Sequence, residues 1–187
     1  MASINSLQQF TYKDKEASSF LEKLNQLNVD SSYYLTILAG DNQSARRSFM
    51  NDVKSKANKD LQVVDLGEVI TSVEEESYQN IDSMLESLSS EKFVWFRQGD
   101  DLDGVYTSFS SSVEQYATPQ EKYLLKKMKG TEKVFFIEFE DESAVTNMLK
   151  RHAQTLITFP ATNSFLSRLK EITVHGSSFS TKRHAAV

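Results

Sequence analysis

The feature that most constrains this chain is a set of short apolar runs alternating with amphipathic stretches. Residues 33–38 (YYLTIL), 61–66 (LQVVDL), 93–96 (FVWF), 134–139 (VFFIEF) and 155–159 (TLITF) are rich in β-branched and aromatic residues and almost unbroken in hydrophobicity. Runs of that kind read as strands buried on both faces. Between them the apolar positions switch to helical spacing. Residues 14–27 put Phe20, Leu21, Leu24 and Leu27 on one stripe, and residues 44–57 turn Phe49, Met50 and Val53 inward. Residues 72–88, 118–130 and 141–151 complete the series. Ser44 and Ser72 are the expected N-caps of their helices, and Glu74, Glu75 and Glu76 suit the positive end of the second. Thr118-Pro119-Gln120-Glu121 is a sharper start, since a Thr cap, Pro at the first position and Glu at the third satisfy orphan amides. Gly130 should stop that helix.

The alternation predicts an α/β fold: a three-layer αβα sandwich around a mainly parallel five-stranded sheet. Residues 1–29 are expected as an N-terminal helical extension, 30–175 as the core and 176–187 as a flexible tail. Residues 100–112 read as an exposed polar loop and 177–187 as frayed. The chain has 187 residues, one domain's worth. The absence of Cys excludes disulfides, thiolate zinc sites and cysteine nucleophiles. A net charge of −5 argues against a nucleic-acid binder. No apolar run approaches a membrane span and MASINSLQQF lacks the pattern of a signal peptide, so no membrane role and a cytoplasmic location are expected. His152, His175 and His184 are dispersed, and no metal site is expected from them. Trp95 reads as core, and Glu138, alone in an apolar strand, needs a basic partner from a neighbouring loop.

In an open parallel sheet, ligands bind beyond the carboxyl ends of the strands, so the turn after the first strand is the place for a phosphate. It reads Gly40-Asp41-Asn42-Gln43-Ser44-Ala45-Arg46-Arg47. A phosphate-binding P-loop has the form G-x-x-x-x-G-K-[ST], with Lys on the β/γ oxygens and the hydroxyl on magnesium. Here the first Gly and the length are present, but Ala45 stands at the second Gly, Arg46 at the Lys and Arg47 at the hydroxyl. Asn42, Ser44 and the amides of the helix start, assisted by Arg46 and Arg47, could still hold an anion. The alternative is a plain polar turn. The strand at 93–96 should lead into an acidic pair that holds magnesium and polarises water, but runs into Arg97-Gln98. Arg97 puts a positive charge at the metal position, and Gln98 cannot serve as a general base.

These residues and their order resemble the core domain of the AAA+ ATPases, in the AAA clade of the P-loop NTPase fold. Gly67-Glu68-Val69-Ile70 with Ser72 to Glu76, Asn80-Ile81 and Leu85 is similar to the clade's segment after the second strand. Arg97-Gln98-Gly99-Asp100-Asp101-Leu102 stands where the family has D-E-A-D-A-L, and Tyr123-Leu124-Leu125-Lys126-Lys127-Met128 resembles its N-x-L-L-x-x-[ML] helix. Phe139 falls nearest the sensor Asn. Lys150-Arg151-His152 looks like the family's R-R-F segment, which carries an arginine finger; basic residues at a helix C-terminus also simply complement its dipole. The likeness covers roughly residues 30–170, and with 27 residues after Pro160 the family's helical lid is not expected here.

With the Walker A, Walker B and sensor positions altered, the resemblance implies a catalytically inactive AAA+-like domain, a pseudo-ATPase with no catalytic residues. Its role would be protein interaction or assembly, beside an active AAA+ ATPase or in a larger complex. No cofactor is expected, ATP and ADP included. The alternative is a nucleotide-binding switch or slow ATPase in which Arg46 replaces the P-loop lysine. A strand order of 5-1-4-3-2 separates both from an unrelated α/β domain.

Overall fold

A computed structural model describes residues 7–26, 33–57, 61–88, 92–103 and 116–161. The elements run β1 (Gln8–Thr11), α1 (Lys15–Lys23), β2 (Tyr34–Ala39), α2 (Gln43–Ala57), β3 (Gln62–Asp65), α3 (Glu74–Ser87), β4 (Phe93–Arg97), α4 (Pro119–Met128), β5 (Val134–Phe139), α5 (Asn147–His152) and β6 (Thr155–Thr158). All neighbouring strands pair in parallel, in the order β1-β6-β2-β5-β4-β3. The five expected strands therefore stand in the expected order, 5-1-4-3-2.

The sheet has six strands rather than five. β1 comes from the N-terminal stretch expected to be helical only, and joins the edge beside β6 with Gln8 opposite Thr155 and Thr11 opposite Thr158. An edge strand needs only one apolar side, and the four residues QQFT offer neither a continuous run nor enough length to show a period. α1 follows as expected, ending in a 3-10 turn at Leu24–Gln26.

Alternation along the strands explains why their apolar runs are unbroken. Leu35, Ile37 and Ala39 of β2, Val94 and Phe96 of β4, and Phe135, Ile137 and Phe139 of β5 face one side, against residues of α3, α4 and α5 such as Ile81, Leu124 and Leu149. Leu38, Phe93, Val134, Phe136 and Ile157 face the other side, where α1 and α2 supply Phe20, Phe49, Met50 and Val53. With helices on both faces, successive side chains of opposite direction are buried alike.

Several helix starts differ from expectation. α2 begins at Gln43, and its cap is Asn42 rather than Ser44: the Asn42 Oδ1 accepts the Ala45 N–H at 3.1 Å. α3 begins at Glu74 with Val73 at the cap position, because the Ser77 hydroxyl, not that of Ser72, accepts the Thr71 N–H at 2.9 Å and orders the entry. Residues 141–151 do not form one helix. Asp141 caps a 3-10 turn at Glu142–Ala144 and Thr146 caps α5 through the Leu149 N–H, so two local caps divide the segment. Thr118 caps α4 as expected, accepting the Glu121 N–H at 3.1 Å, and Gly130 follows the helix with φ +82°. Gly99–Asp103 form a 3-10 turn with Leu102 buried, not an open loop. Trp95 is half-buried, on a strand next to the edge strand β3. The expectations for Leu27, 104–112, 162–175, His175, His184 and the tail lie outside the described residues. Among the described residues, no helix is long and apolar enough to cross a membrane.

Candidate functional site at the carboxyl ends of the strands

The turn from β2 to α2 is short and tightly held. Gly40 has φ +125°, and a Cβ there would lie 2.3 Å from the Phe159 carbonyl oxygen, so the position needs glycine on both counts. Its N–H donates to the Phe139 carbonyl at 3.2 Å, and the Asn42 N–H donates to the Phe159 carbonyl at 3.4 Å. Asn42 Nδ2 donates to the Pro160 carbonyl at 3.3 Å. Only Asp41 and Asn42 separate Gly40 from the helix. The Gln43 amide donates to the Asp41 carbonyl, that of Ala45 to the Asn42 side chain and that of Arg46 to the Asn42 carbonyl. A P-loop cradles phosphate with backbone N–H groups of the loop and helix start. Here these three amides are spent on the turn itself. Asp41, Ser44 and Arg47 are exposed and Asn42 is half-buried.

Arg46 behaves differently from the residues around it. It is 0% exposed, and its Nε donates to Glu138 Oε1 at 2.8 Å. Its Nη2 lies 3.6 Å from Glu140 Oε1. Glu138 sits on the β5 face that α2 covers, since the alternation that sends Val134 and Phe136 to that side sends Glu138 there too. The basic partner of the strand carboxylate is therefore Arg46, which lies in the first turn of α2 and not on a loop as expected. The guanidinium at the P-loop lysine position is turned into the protein, between the sheet and α2.

The end of β4 is locked by polar contacts that the sequence did not indicate. Arg97 is half-buried opposite Asp65, and Gln98 takes φ +57° and donates its Nε2 to Asp65 Oδ2 at 2.9 Å. Gly99 is packed so closely that a Cβ would stand 2.7 Å from the Glu138 carbonyl oxygen. The Asp100 carboxylate accepts the N–H groups of Glu140 and Asp141 at 2.8 and 3.0 Å. It thus fixes the loop after β5. Burial, with the charges of Asp100 and Asp65 adding to it, raises the Asp101 carboxyl above its ordinary range. Phe139, at the sensor position, is fully buried.

A cleft of about 570 Å³ opens at this pole, lined by Thr11, Gly40, Asp41, Thr158, Phe159 and Pro160 and by the loop of Glu140, Asp141 and Glu142. Four of these carry carboxylates. The strand order and the turns bring Gly40 to Arg47 and Arg97-Gln98 to the same end of the sheet. Lys150 and Arg151 are not brought there: they occupy the last turn of α5, which leads directly into the amino end of β6. That opposite pole also holds the Tyr33 hydroxyl at 3.1 Å from His152 Nδ1. Burial pushes Tyr33 up to about 12 and, with the charge of Lys129, lowers His152. Among the described residues, no group of three or more His, Asp or Glu is arranged to hold a metal ion.

No protein-family model matches this sequence, and no curated protein matches it either. Solved structures do. The AAA domain of FIGL-1, in complex with ADP, superposes with a TM-score of 0.52 at 9% identity, covering 100% of this chain and 66% of that one. A structure of katanin, addressing its self-assembly, gives 0.50 at 12% identity, with 98% and 56% covered. Trip13 in the HORMA:CdnC:Trip13 complex of E. coli MS115-1 gives 0.47 at 13%, with 81% and 55% covered. The chain thus has the fold of an AAA+ core domain, a P-loop NTPase-like αβα sandwich. It spans less than two thirds of the length of each of these chains.

Proposed function

We propose that this chain is a catalytically inactive AAA+-like domain, a pseudo-ATPase that works through protein contacts rather than nucleotide turnover. The observation that carries this reading is the burial of Arg46 against Glu138. A P-loop lysine must reach outward to the β/γ oxygens. Freeing Arg46 for that task would strand Glu138 as an unpaired buried carboxylate, a cost of roughly 3–5 kcal/mol. Two further features support it. The amides of Gln43, Ala45 and Arg46 are already engaged, and Asp41, Glu140, Asp141 and Glu142 surround the adjacent cleft with charge of the same sign as a nucleotide's phosphates.

The role left to such a domain is to hold or be held by another protein. Katanin, which shares the fold, self-assembles, and assembly is the kind of role we carry over, with an active AAA+ ATPase or a larger complex as the partner. Calorimetric titration with ATP and magnesium, run beside a phosphate-release assay, tests the central claim. Neither heat of binding nor phosphate is expected. Phosphate release by the unaltered chain would overturn it, and its loss in an Arg46→Ala variant shown to remain folded would mark Arg46 as the working replacement for lysine.

A further inference from the structure

A second groove adjoins the acidic cleft. It has a volume of about 440 Å³ and is mostly apolar, lined by Tyr12, Ala45, Phe159, Pro160 and Ala161 together with Thr11, Asn42 and one cation, Lys13. It shares Thr11, Phe159 and Pro160 with the cleft, so one continuous surface runs from apolar to acidic. Three observations bear on what covers it. Ala161, on the groove wall, is where the described chain stops, with 26 residues still to follow. Those residues begin TNSFLSRLKEITV, in which Phe165, Leu166, Leu169 and Ile172 recur at the spacing of a single apolar face. They also carry Arg168, Lys170, Lys182 and Arg183 against the lone acid Glu171, in a chain whose total charge is −5.

We propose that residues 162–187 dock back onto their own chain, with Phe165, Leu166 and Leu169 in this groove and Arg168 and Lys170 toward Asp41, Glu140 and Glu142. Phe165 lies four residues beyond Ala161, within about 13 Å of extended chain. A tether that short holds the segment at an effective concentration of order millimolar, so even weak apolar contacts suffice. The apolar part of the groove accepts the apolar face, and the contiguous carboxylates select basic neighbours over acidic ones. This goes beyond the function proposed above and does not depend on whether the β2–α2 turn binds nucleotide.

Because the chain has no cysteine, Ser167→Cys accepts a single spin label, and amide signals of the whole chain report what it approaches. Residues 159–161 lose intensity simply by being near in sequence. Docking is read instead from residues 11–13 and 42–45, whose signals should be lost in the labelled chain. They should return in the Phe165→Asp/Leu169→Asp variant and weaken in Glu140→Lys/Glu142→Lys or at high salt. Intensity retained at 11–13 and 42–45, or a loss that the Asp variant leaves unchanged, would overturn the proposal. So would a loss that persists undiminished when spin-labelled chains without isotope enrichment are mixed with unlabelled isotope-enriched ones, since the occupant would then be a second copy.

Discussion

At the scale of single residues, Arg46 concentrates the physics of this molecule. A guanidinium with no exposed surface is tolerable only because Glu138 lies 2.8 Å away on the strand beneath. Arg46→Ala should cost about 3–5 kcal/mol in chemical denaturation, since it leaves Glu138 charged and alone. The double replacement Arg46→Met/Glu138→Leu should recover most of that loss, because apolar residues of similar volume remove both desolvated charges. A double variant as unstable as the single would show that the pair holds the β2–α2 turn by geometry rather than by charge. Asp101 works in the opposite sense. Its carboxyl is raised by burial and by the charges of Asp100 and Asp65, so the folded state binds its proton more readily than the unfolded chain. Its ionisation therefore lowers stability as pH climbs from about 4, the unfolded carboxylate value, through the raised folded one. Asp101→Asn should raise the melting temperature at neutral pH, with a gain that fades toward pH 4 and shrinks in salt. A gain independent of pH would mean that the charge is not its source.

At the scale of elements, what matters is how ends are tied. Asp100 in the turn after β4 receives two amides of the loop after β5, so one carboxylate joins two neighbouring strand exits and sets where Glu140, Asp141 and Glu142 stand. Asp100→Ala should destabilise by about 1–2 kcal/mol, given two charged but exposed hydrogen bonds. It should also quicken hydrogen exchange at the amides of 140 and 141 selectively. Uniform acceleration across the sheet would rule out a local clamp. The β4 run and the turn after it were legible as a strand followed by polar residues. The clamp was not, because a carboxylate's acceptors-to-donors match depends on which strand ends lie side by side. Asn42 makes the same point on a smaller scale. Both Asn42 and Ser44 are good capping residues, and the choice between them follows from Asn42 also being pinned to the chain around Phe159 and Pro160.

At the scale of the whole molecule, β1 closes one edge of the sheet. Behind it, Tyr12 stacks on Phe159 at 5.2 Å between ring centroids and meets Phe49 edge-on at 6.0 Å, while Phe10 packs on the α1–α2 side of the core. Removing residues 1–13 should uncover the β6 edge and the rings of Phe49 and Phe159 that Tyr12 covers, lowering stability and promoting self-association through the exposed strand. Sedimentation and thermal unfolding check this together; a truncated chain that stays monomeric with an unchanged melting temperature would make β1 an ornament of the edge. The full chain should also show no thermal shift with millimolar ATP or ADP, since a ligand that binds only the folded state must raise its stability.

Local chemistry alone determined the alternation of strands and helices, the burial of the sheet on both faces, the Thr118 cap and the basic residues at 46, 47 and 97, since each depends on neighbours a few positions apart. The five-strand order rested on likeness of layout to a known family, and the pairing of the strands bears it out. Tertiary structure alone decided the sixth strand, the partner of Glu138 and the separation of Lys150 and Arg151 from the β2–α2 turn. An edge strand four residues long carries too little pattern to read. The ion pair joins residues 92 positions apart. Which pole a helix end reaches is a property of the parallel sheet, and no stretch of sequence contains it.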